Sequence, residues 1–181
     1  LVVNGVLYAV GTETDSIRFI KGTAADWGGI RFYGGNSSTI SWSEISGSNS
    51  GGVFAEGATV TLERCTISDN NIVAGQVGAG IVVSHAASMT LNWCLIVRNT
   101  GALNGGALYV GNGAATLNNC TISGNSATSG AGGFFVNNSA TVNLTNSILW
   151  GNTGGSYSIN AGSFTANYSD IEGNYAGTDN I

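Results

Sequence analysis

The chain has 181 residues, including 29 Gly and no Pro, and only 8% of its residues are charged. A hydrophobic fraction of 43% excludes intrinsic disorder, which combines low hydrophobicity with high charge. Five basic against ten acidic residues give a net charge of −5, which excludes the basic surface that nucleic-acid binding requires. No apolar run approaches the roughly 18 residues of a transmembrane helix.

The first predicted element is a coil formed by residues 1–22. Val3, Leu7 and Val10 supply its first buried positions, and Ile17 and Phe19 alternate as in a β-strand. The Trp27-Gly28-Gly29-Ile30 segment then begins the apolar strand of the next coil.

From residue 27 onward, a pair of small residues is repeatedly followed by apolar residues at alternate positions. This spacing predicts short strands, because successive side chains of a strand point to opposite faces. The two apolar columns are Ile30, Val53, Ile81, Leu108, Phe134 and Phe32, Ala55, Val83, Val110, Val136.

A second motif, which reads TLNNCTISGN over residues 116–125, recurs from residue 40 onward. Four of its columns all advance by the same steps of 22, 29, 26, 27 and 22 residues. Because the columns move together, each motif is one structural unit, and periods of this size indicate a solenoid. The columns are Ile40, Leu62, Leu91, Leu117, Leu144, Ala166; Ser43, Cys65, Cys94, Cys120, Ser147, Ser169; Ile45, Ile67, Ile96, Ile122, Leu149, Ile171; and Ser48, Asn70, Asn99, Asn125, Asn152, Asn174.

These repeats predict an all-β solenoid of about seven coils with three short strands per coil, stacked at the strand spacing of about 4.8 Å. We expect residues 1–181 to form one such domain, as part of a longer secreted protein. Like residues then lie above like residues, so that the apolar columns form the core. The Asn column is expected to form a ladder of side-chain amides at a bend, or to supply ordinary turns that tolerate left-handed φ.

The TLNNCTISGN units, with Gly-Gly pairs between them, resemble the right-handed parallel β-helix superfamily, which is also called pectin-lyase-like. Within it, they are similar to repeats of bacterial secreted surface proteins, including polymorphic outer-membrane-protein passengers with GGA-I and F-x-x-N signatures. The chain keeps the Gly-Gly pair and the final Asn, but Ile122 stands where that motif has Phe. The resemblance covers residues 1–175 and implies a right-handed β-helix in a secreted or cell-surface protein. It is specific for the architecture and does not determine the activity, because many unrelated functions share the scaffold.

The three Cys residues fall in one inward column and are expected to be free, buried thiols. Their parallel side chains suit the disulfide dihedral poorly, and a line of three thiols does not make a tetrahedral metal site. The longer insertions, 71–78, 100–104 and 126–131, fall between the Asn column and the next small-residue pair. They are expected to gather on one side of the solenoid.

Two outward columns carry aromatic side chains. The first follows the small-residue pairs and, with four apolar groups in register, predicts an exposed apolar stripe of the kind that contacts partners. The second is expected to expose aromatic rings that stack on sugars, pack against another protein subunit, or pack locally. The columns are Arg31, Phe54, Val82, Tyr109, Phe135 and Trp42, Arg64, Trp93, Asn119, Asn146, Tyr168, and the binding candidates are Trp42, Trp93, Tyr168, Phe54, Tyr109 and Phe135.

The resemblance implies two kinds of catalytic site: a Lys or Arg base beside a Ca²⁺-binding acidic cluster, or neighbouring Asp residues on adjacent coils. The best enzyme candidate is Glu63 with Arg64 and with Arg98 one coil later; the alternative interpretation is solvated surface charge. Asp170 and Glu172 are the candidate ligands of a weak Ca²⁺ site, or else exposed charges near the chain's end. Otherwise, no cofactor is expected, and His85 is expected to be a lone surface residue.

Ice binding requires a flat, regular row of short hydroxyl and methyl groups. The relevant outward column is interrupted by charged and large side chains, so ice binding is not expected. That column is Glu44, Thr66, Leu95, Thr121, Ile148, Asp170.

The sequence therefore favours a non-catalytic extracellular module for adhesion, surface structure or glycan binding. Its expected partners are a polysaccharide or cell-surface glycan, or protein subunits that contact the apolar stripe. The alternative function is a polysaccharide lyase or glycoside hydrolase of the pectin-lyase-like type.

Overall fold

The computed structural model describes residues 1–23, 27–173 and 175–181, and the strands within them form three parallel sheets of seven strands each. This arrangement confirms the predicted solenoid with three strands per coil. No helix in these residues has the length and apolarity to cross a membrane.

Each coil contributes one strand to each sheet, because sheet neighbours are three strands apart in the chain. Sheet A holds the first strand of each coil, sheet B the second and sheet C the third. In chain order the strands are β1 (Val2–Val3), β2 (Tyr8–Val10), β3 (Ile17–Ile20), β4 (Ile30–Tyr33), β5 (Ser37–Ser41), β6 (Ser43–Ser46), β7 (Val53–Glu56), β8 (Thr59–Glu63), β9 (Thr66–Ser68), β10 (Ile81–Ser84), β11 (Ser88–Asn92), β12 (Leu95–Val97), β13 (Leu108–Gly111), β14 (Ala114–Asn118), β15 (Thr121–Ser123), β16 (Phe134–Asn137), β17 (Ala140–Thr145), β18 (Ile148–Trp150), β19 (Tyr157–Ile159), β20 (Gly162–Asn167) and β21 (Asp170–Ile171).

The strands pair in the register that the sequence columns predict. Leu91 lies beside Leu62 on one side and Leu117 on the other, and Ile81 lies between Val53 and Leu108 in the same way. The side chains of these rows are buried inside the coil. Each buried Leu, Ile or Val stabilises the fold by roughly 1.5–3 kcal/mol relative to exposure.

The predicted ladder of Asn side chains is confirmed from Asn70 to Asn152; Asn174 lies outside the described residues. The side-chain nitrogen of Asn99 donates to Ile67 O at 3.0 Å and to Asn125 Oδ1 at 2.9 Å. Its own Oδ1 accepts from the backbone and side-chain nitrogens of Asn70 at 3.1 and 3.0 Å. The amides of Asn70, Asn99 and Asn125 are thus each paired with the preceding coil and with the next coil.

The small residue before each strand of sheet A leaves room for this ladder. A Cβ added at Gly80 would lie 2.5 Å from the carbonyl oxygen of Ala107 and 3.1 Å from Asn99 Nδ2. The small residue before a strand of sheet A and the Asn of the ladder therefore pack against each other, although the three strands of the coil separate them in the sequence.

The cysteines of the inward column are free and buried, as predicted. Each thiol lies 3.4 or 3.5 Å from a carbonyl oxygen of the preceding coil, as Cys94 does from Leu62 O. The pKa of Cys94 is raised, because thiol contacts with Cys120 and Cys65 and then burial disfavour its thiolate. These thiols therefore serve as small core residues.

The longer insertions lie side by side between sheets C and A, as predicted. Isolated parallel bridges join Asn71 to Thr100 and Ala102 to Ala127. Residues 175–181 lie along the last coil, where Tyr168 N donates to Thr178 O at 2.8 Å and Ile171 N donates to Ile181 O at 3.1 Å. This segment covers strand edges of the last coil, which would otherwise be open to pairing.

Candidate functional site

The second aromatic column lies at the bend between sheets B and C and not within a strand. Its six residues all have φ between 48° and 57°, in the left-handed region. For a residue other than Gly this conformation is strained, and here the backbone of the next coil holds it: Arg64 N donates to Asn92 O at 2.8 Å. We call this column the corner ridge: Trp42, Arg64, Trp93, Asn119, Asn146 and Tyr168.

Three consecutive residues of the corner ridge form a stack. The guanidinium carbon of Arg64 lies 5.0 Å from the ring centroid of Trp42 and 4.7 Å from that of Trp93. A cation that contacts two aromatic rings is stabilised by both ring quadrupoles. Glu63 adds a longer contact, 3.4 Å from its Oε1 to Arg64 Nη1. Two aromatic rings and one carboxylate therefore contact the Arg64 side chain.

The corner ridge is nevertheless accessible. Trp93 is 52% exposed and Tyr168 is 55% exposed, and Asn119 and Asn146 lie between them in the column. Beside the stack is a groove of about 310 Å³ whose lining includes Trp42, Glu44 and Arg64. An aromatic ring, a cation and amide groups thus follow one another along one edge of the solenoid.

The first aromatic column, on sheet A, is less exposed than predicted. Val82 is only 7% exposed, because residues 72–78 lie over it and over Phe54. This segment encloses a cavity of about 430 Å³ with an apolar lining that includes Ile72, Val73 and Val77. Arg31 caps the Phe54 ring, with its guanidinium carbon 5.2 Å from the centroid. The predicted continuous stripe is therefore interrupted.

Farther along the same column, Tyr109 and Phe135 stack on each other. Their ring centroids are 5.9 Å apart and the ring planes differ by 4°. The Tyr109 hydroxyl accepts a hydrogen bond from Asn137 Nδ2 at 3.3 Å. Both rings are half-buried, so local packing accounts for much of their surface.

The structure does not bring together the residues of the candidate catalytic site. Arg98 lies at the opposite end of sheet C from Arg64, where it donates to both carboxylate oxygens of Asp69 at 2.8 and 2.7 Å. The Arg98 guanidinium holds the pKa of Asp69 below its usual value. Glu63 and Arg64 remain neighbours at the corner ridge, so Glu63, Arg64 and Arg98 do not surround one space.

A second carboxylate near the ridge is also paired. Arg18 Nε donates to Glu44 at 2.8 Å, and Ser46 Oγ donates to the other carboxylate oxygen at 2.8 Å. These two hydrogen bonds, chiefly that from Arg18, lower the pKa of Glu44. Glu44 thus lines the groove as an ionised carboxylate and is a poor general acid at neutral pH.

His85 has polar neighbours that the sequence reasoning missed. Its Nδ1 lies 3.2 Å from Ser84 Oγ and 3.9 Å from Glu56 Oε1. A hydrolytic triad needs the nucleophile on one ring nitrogen and the acid on the other, whereas here both face the same nitrogen. The sequence columns place Ser84 beside Glu56 in adjacent strands, which predicts that both lie near His85. The three side chains do not form a triad.

The candidate Ca²⁺ ligands also face other groups. Glu172 Oε2 accepts from Gly151 N at 3.0 Å and from Ser156 Oγ at 3.3 Å. Asp170 is half-buried in the last strand of sheet C, beside Ile148. Within the described residues, no three His, Cys, Asp or Glu side chains cluster closely enough to hold a metal ion.

Comparison with known proteins identifies the family of the chain. Neither the comparison with curated proteins nor that with solved structures gives a match. The family model described as the right handed beta helix region matches residues 7–176, which contain nearly every strand of the three sheets. On this match and the stacked parallel coils, the chain belongs to the right-handed β-helix family.

Proposed function

We propose that this chain is a non-catalytic extracellular module that binds a glycan along the corner ridge. The observation that carries the proposal is the Trp42–Arg64–Trp93 stack, which a strained bend presents at the surface. Unusual backbone conformations concentrate at functional sites, and bulky aromatic residues in the left-handed region are uncommon. Such a module serves adhesion or surface structure, and it acts in a secreted or cell-surface protein, where glycans are met.

The chemistry of the ridge suits a sugar chain. The half-exposed Trp93 ring offers an apolar surface for the C–H face of a pyranose. Asn119 offers amide donors and acceptors one coil away, at about the 4.8 Å strand spacing. Arg64 donors that Glu63 leaves free can bond hydroxyl or carboxylate oxygens. An extended polysaccharide can therefore contact several coils at once.

The test is binding of soluble polysaccharides, by affinity electrophoresis and a glycan array. Trp93→Ala is expected to weaken binding roughly tenfold, since one lost stacking contact is worth about 1–2 kcal/mol. Trp150→Ala is the matched control, because Trp150 is 50% exposed but lies at the other end of sheet C. Equal losses in both variants, or no glycan bound by the native chain, would contradict the proposal.

The second candidate function is a polysaccharide lyase or hydrolase, favoured by the groove that Arg64 and Glu44 line. The same polysaccharide panel tests it, by the appearance of new chain ends. Cleavage that Arg64→Ala abolishes would establish the enzyme and replace the non-catalytic proposal.

A further inference from the structure

The outward face of sheet B differs from those of the other two sheets. Six of its strands, from β5 to β20, present three columns in register that carry Thr, Ser or Asn at every position except Ala114 and Glu63. All of these side chains are exposed or half-exposed except Ser41. The columns are Ser37, Thr59, Ser88, Ala114, Thr141, Ser163; Thr39, Thr61, Thr90, Thr116, Asn143, Thr165; and Ser41, Glu63, Asn92, Asn118, Thr145, Asn167.

The face is a two-dimensional lattice with fixed spacings. Neighbouring strands set one repeat at about 4.8 Å, and alternate residues along a strand set the other at roughly 6.7 Å. Both lie close to repeat distances between oxygen atoms in the ice lattice. The parallel register continues without a shift through all six strands, so the lattice has no dislocation.

The side chains of the lattice are held in position. Thr has a stiff χ1 on a strand, because its Cβ is branched. At one end of the face, Thr165 donates to Asn143 at 2.6 Å and Ser163 donates to Thr141 at 3.2 Å. The central hydroxyls of Thr61, Thr90 and Thr116 make no side-chain hydrogen bond to any described residue and are thus available to water.

We propose that the outward face of sheet B binds the surface of ice crystals. Hydroxyl groups at regular spacing hold water molecules at lattice positions, and the adjacent methyl groups fill the space between them. A charged group would turn the surrounding water away from those orientations, and Glu63 is the single formal charge on the six described strands of the face. A neutral, rigid and regular surface thereby complements a neutral, regular solid.

Two other occupants fit the face less well. Six strands of about five residues cover roughly 500 Å², which is below the about 800 Å² per partner of a stable protein interface. Sugar-binding surfaces use aromatic rings, and no aromatic side chain points outward from these six described strands. Exposed aromatic side chains lie instead at the corner ridge, on the outer faces of sheets A and C, and at Tyr8 of β2, which borders the six strands.

Ice binding can be measured as the gap between the melting and freezing temperatures of a single ice crystal in the protein solution, together with the shape of the crystal. The native chain is expected to open such a gap and to facet the crystal. Thr90→Tyr, in the middle of the face, is expected to lose most of the gap. Thr121→Tyr is the control, because Thr121 has the same half-exposed strand environment on sheet C.

Circular dichroism and thermal melting establish that both variants are folded. If Thr90→Tyr does not fold, Thr90→Ser, which removes one methyl group, is expected to reduce the gap in its place. A native chain that neither opens a gap nor shapes ice would overturn the proposal, as would equal losses in the two Tyr variants. Binding to crystalline cellulose or chitin that Thr90→Tyr abolishes, without activity on ice, would also overturn it.

Discussion

Replacing Asn99 by Ala tests the ladder of buried amides most directly. The change removes the acceptor of the Asn70 backbone N–H and the donor to the Ile67 carbonyl, both of which are buried. The side-chain nitrogen of Asn70 keeps its bond to Ile45 O, and Asn125 Oδ1 keeps the backbone N–H of residue 99. The Asn70 N–H is therefore left without its acceptor, at about 1–3 kcal/mol, and the Ile67 carbonyl loses one bond, at about 1 kcal/mol, so we expect a loss of about 2–4 kcal/mol.

The assay is equilibrium unfolding in urea, followed by circular dichroism. Asn118→Ala is the matched control: it also removes a bond between coils, from Asn118 Nδ2 to Asn92 Oδ1 at 3.0 Å, but in a half-exposed position. Since water replaces that bond, its loss is expected to cost about 1 kcal/mol or less. If Asn99→Ala cost no more than Asn118→Ala, the ladder would not be a principal source of stability and the reasoning would fail.

Three further predictions concern titration, thiol reactivity and close packing. The pKa of Glu44 is lower in the folded chain than the unfolded value of about 4.3, so the ionised carboxylate stabilises the fold above that pH. This stabilisation is lost as the pH falls through the folded-state pKa. The difference in unfolding free energy between the native chain and Glu44→Gln, measured in urea, should therefore shrink in acid. Cys65, Cys94 and Cys120 are buried, so a thiol reagent at neutral pH should modify none of them in the folded chain and all of them in urea; rapid modification without urea would show that the coil opens there. Gly80→Ala should lower the melting temperature, because its Cβ would meet the Ala107 carbonyl oxygen at 2.5 Å; an unchanged melting temperature would show that the bend relaxes freely.

The repeat made most of the fold predictable. Because all the sequence columns advance by the same steps, only one strand register aligns every column at once. The sequence therefore places Leu62, Leu91 and Leu117 side by side, as the structure has them. The position of residues 72–78 over Val82 was not predictable, because an insertion has no periodicity and its apolar side chains can pack in several directions. The left-handed bend at Trp93 was also missed, since an outward column looks the same in a strand and in a bend.

One contact of the candidate site is visible in the sequence columns. Asp69 and Arg98 occupy the same column of adjacent repeats, four residues after Cys65 and Cys94, which places them side by side. This column therefore places Arg98 beside Asp69 and away from Arg64. The Thr column before Leu62, Leu91 and Leu117 is equally visible in the sequence, whereas Leu95 and Ile148 interrupt the hydroxyl groups of the column on sheet C.

The insertions between sheets C and A have a practical consequence. Strand register is continuous on either side of them although their lengths differ from coil to coil, so the register does not depend on the length of these segments. A foreign peptide exchanged for residues 72–78 would therefore keep the strand register, although it would uncover Val82 and Phe54. Peptides grafted into successive coils would be displayed in a row, one strand spacing apart, so the chain could present epitopes at a fixed distance from one another.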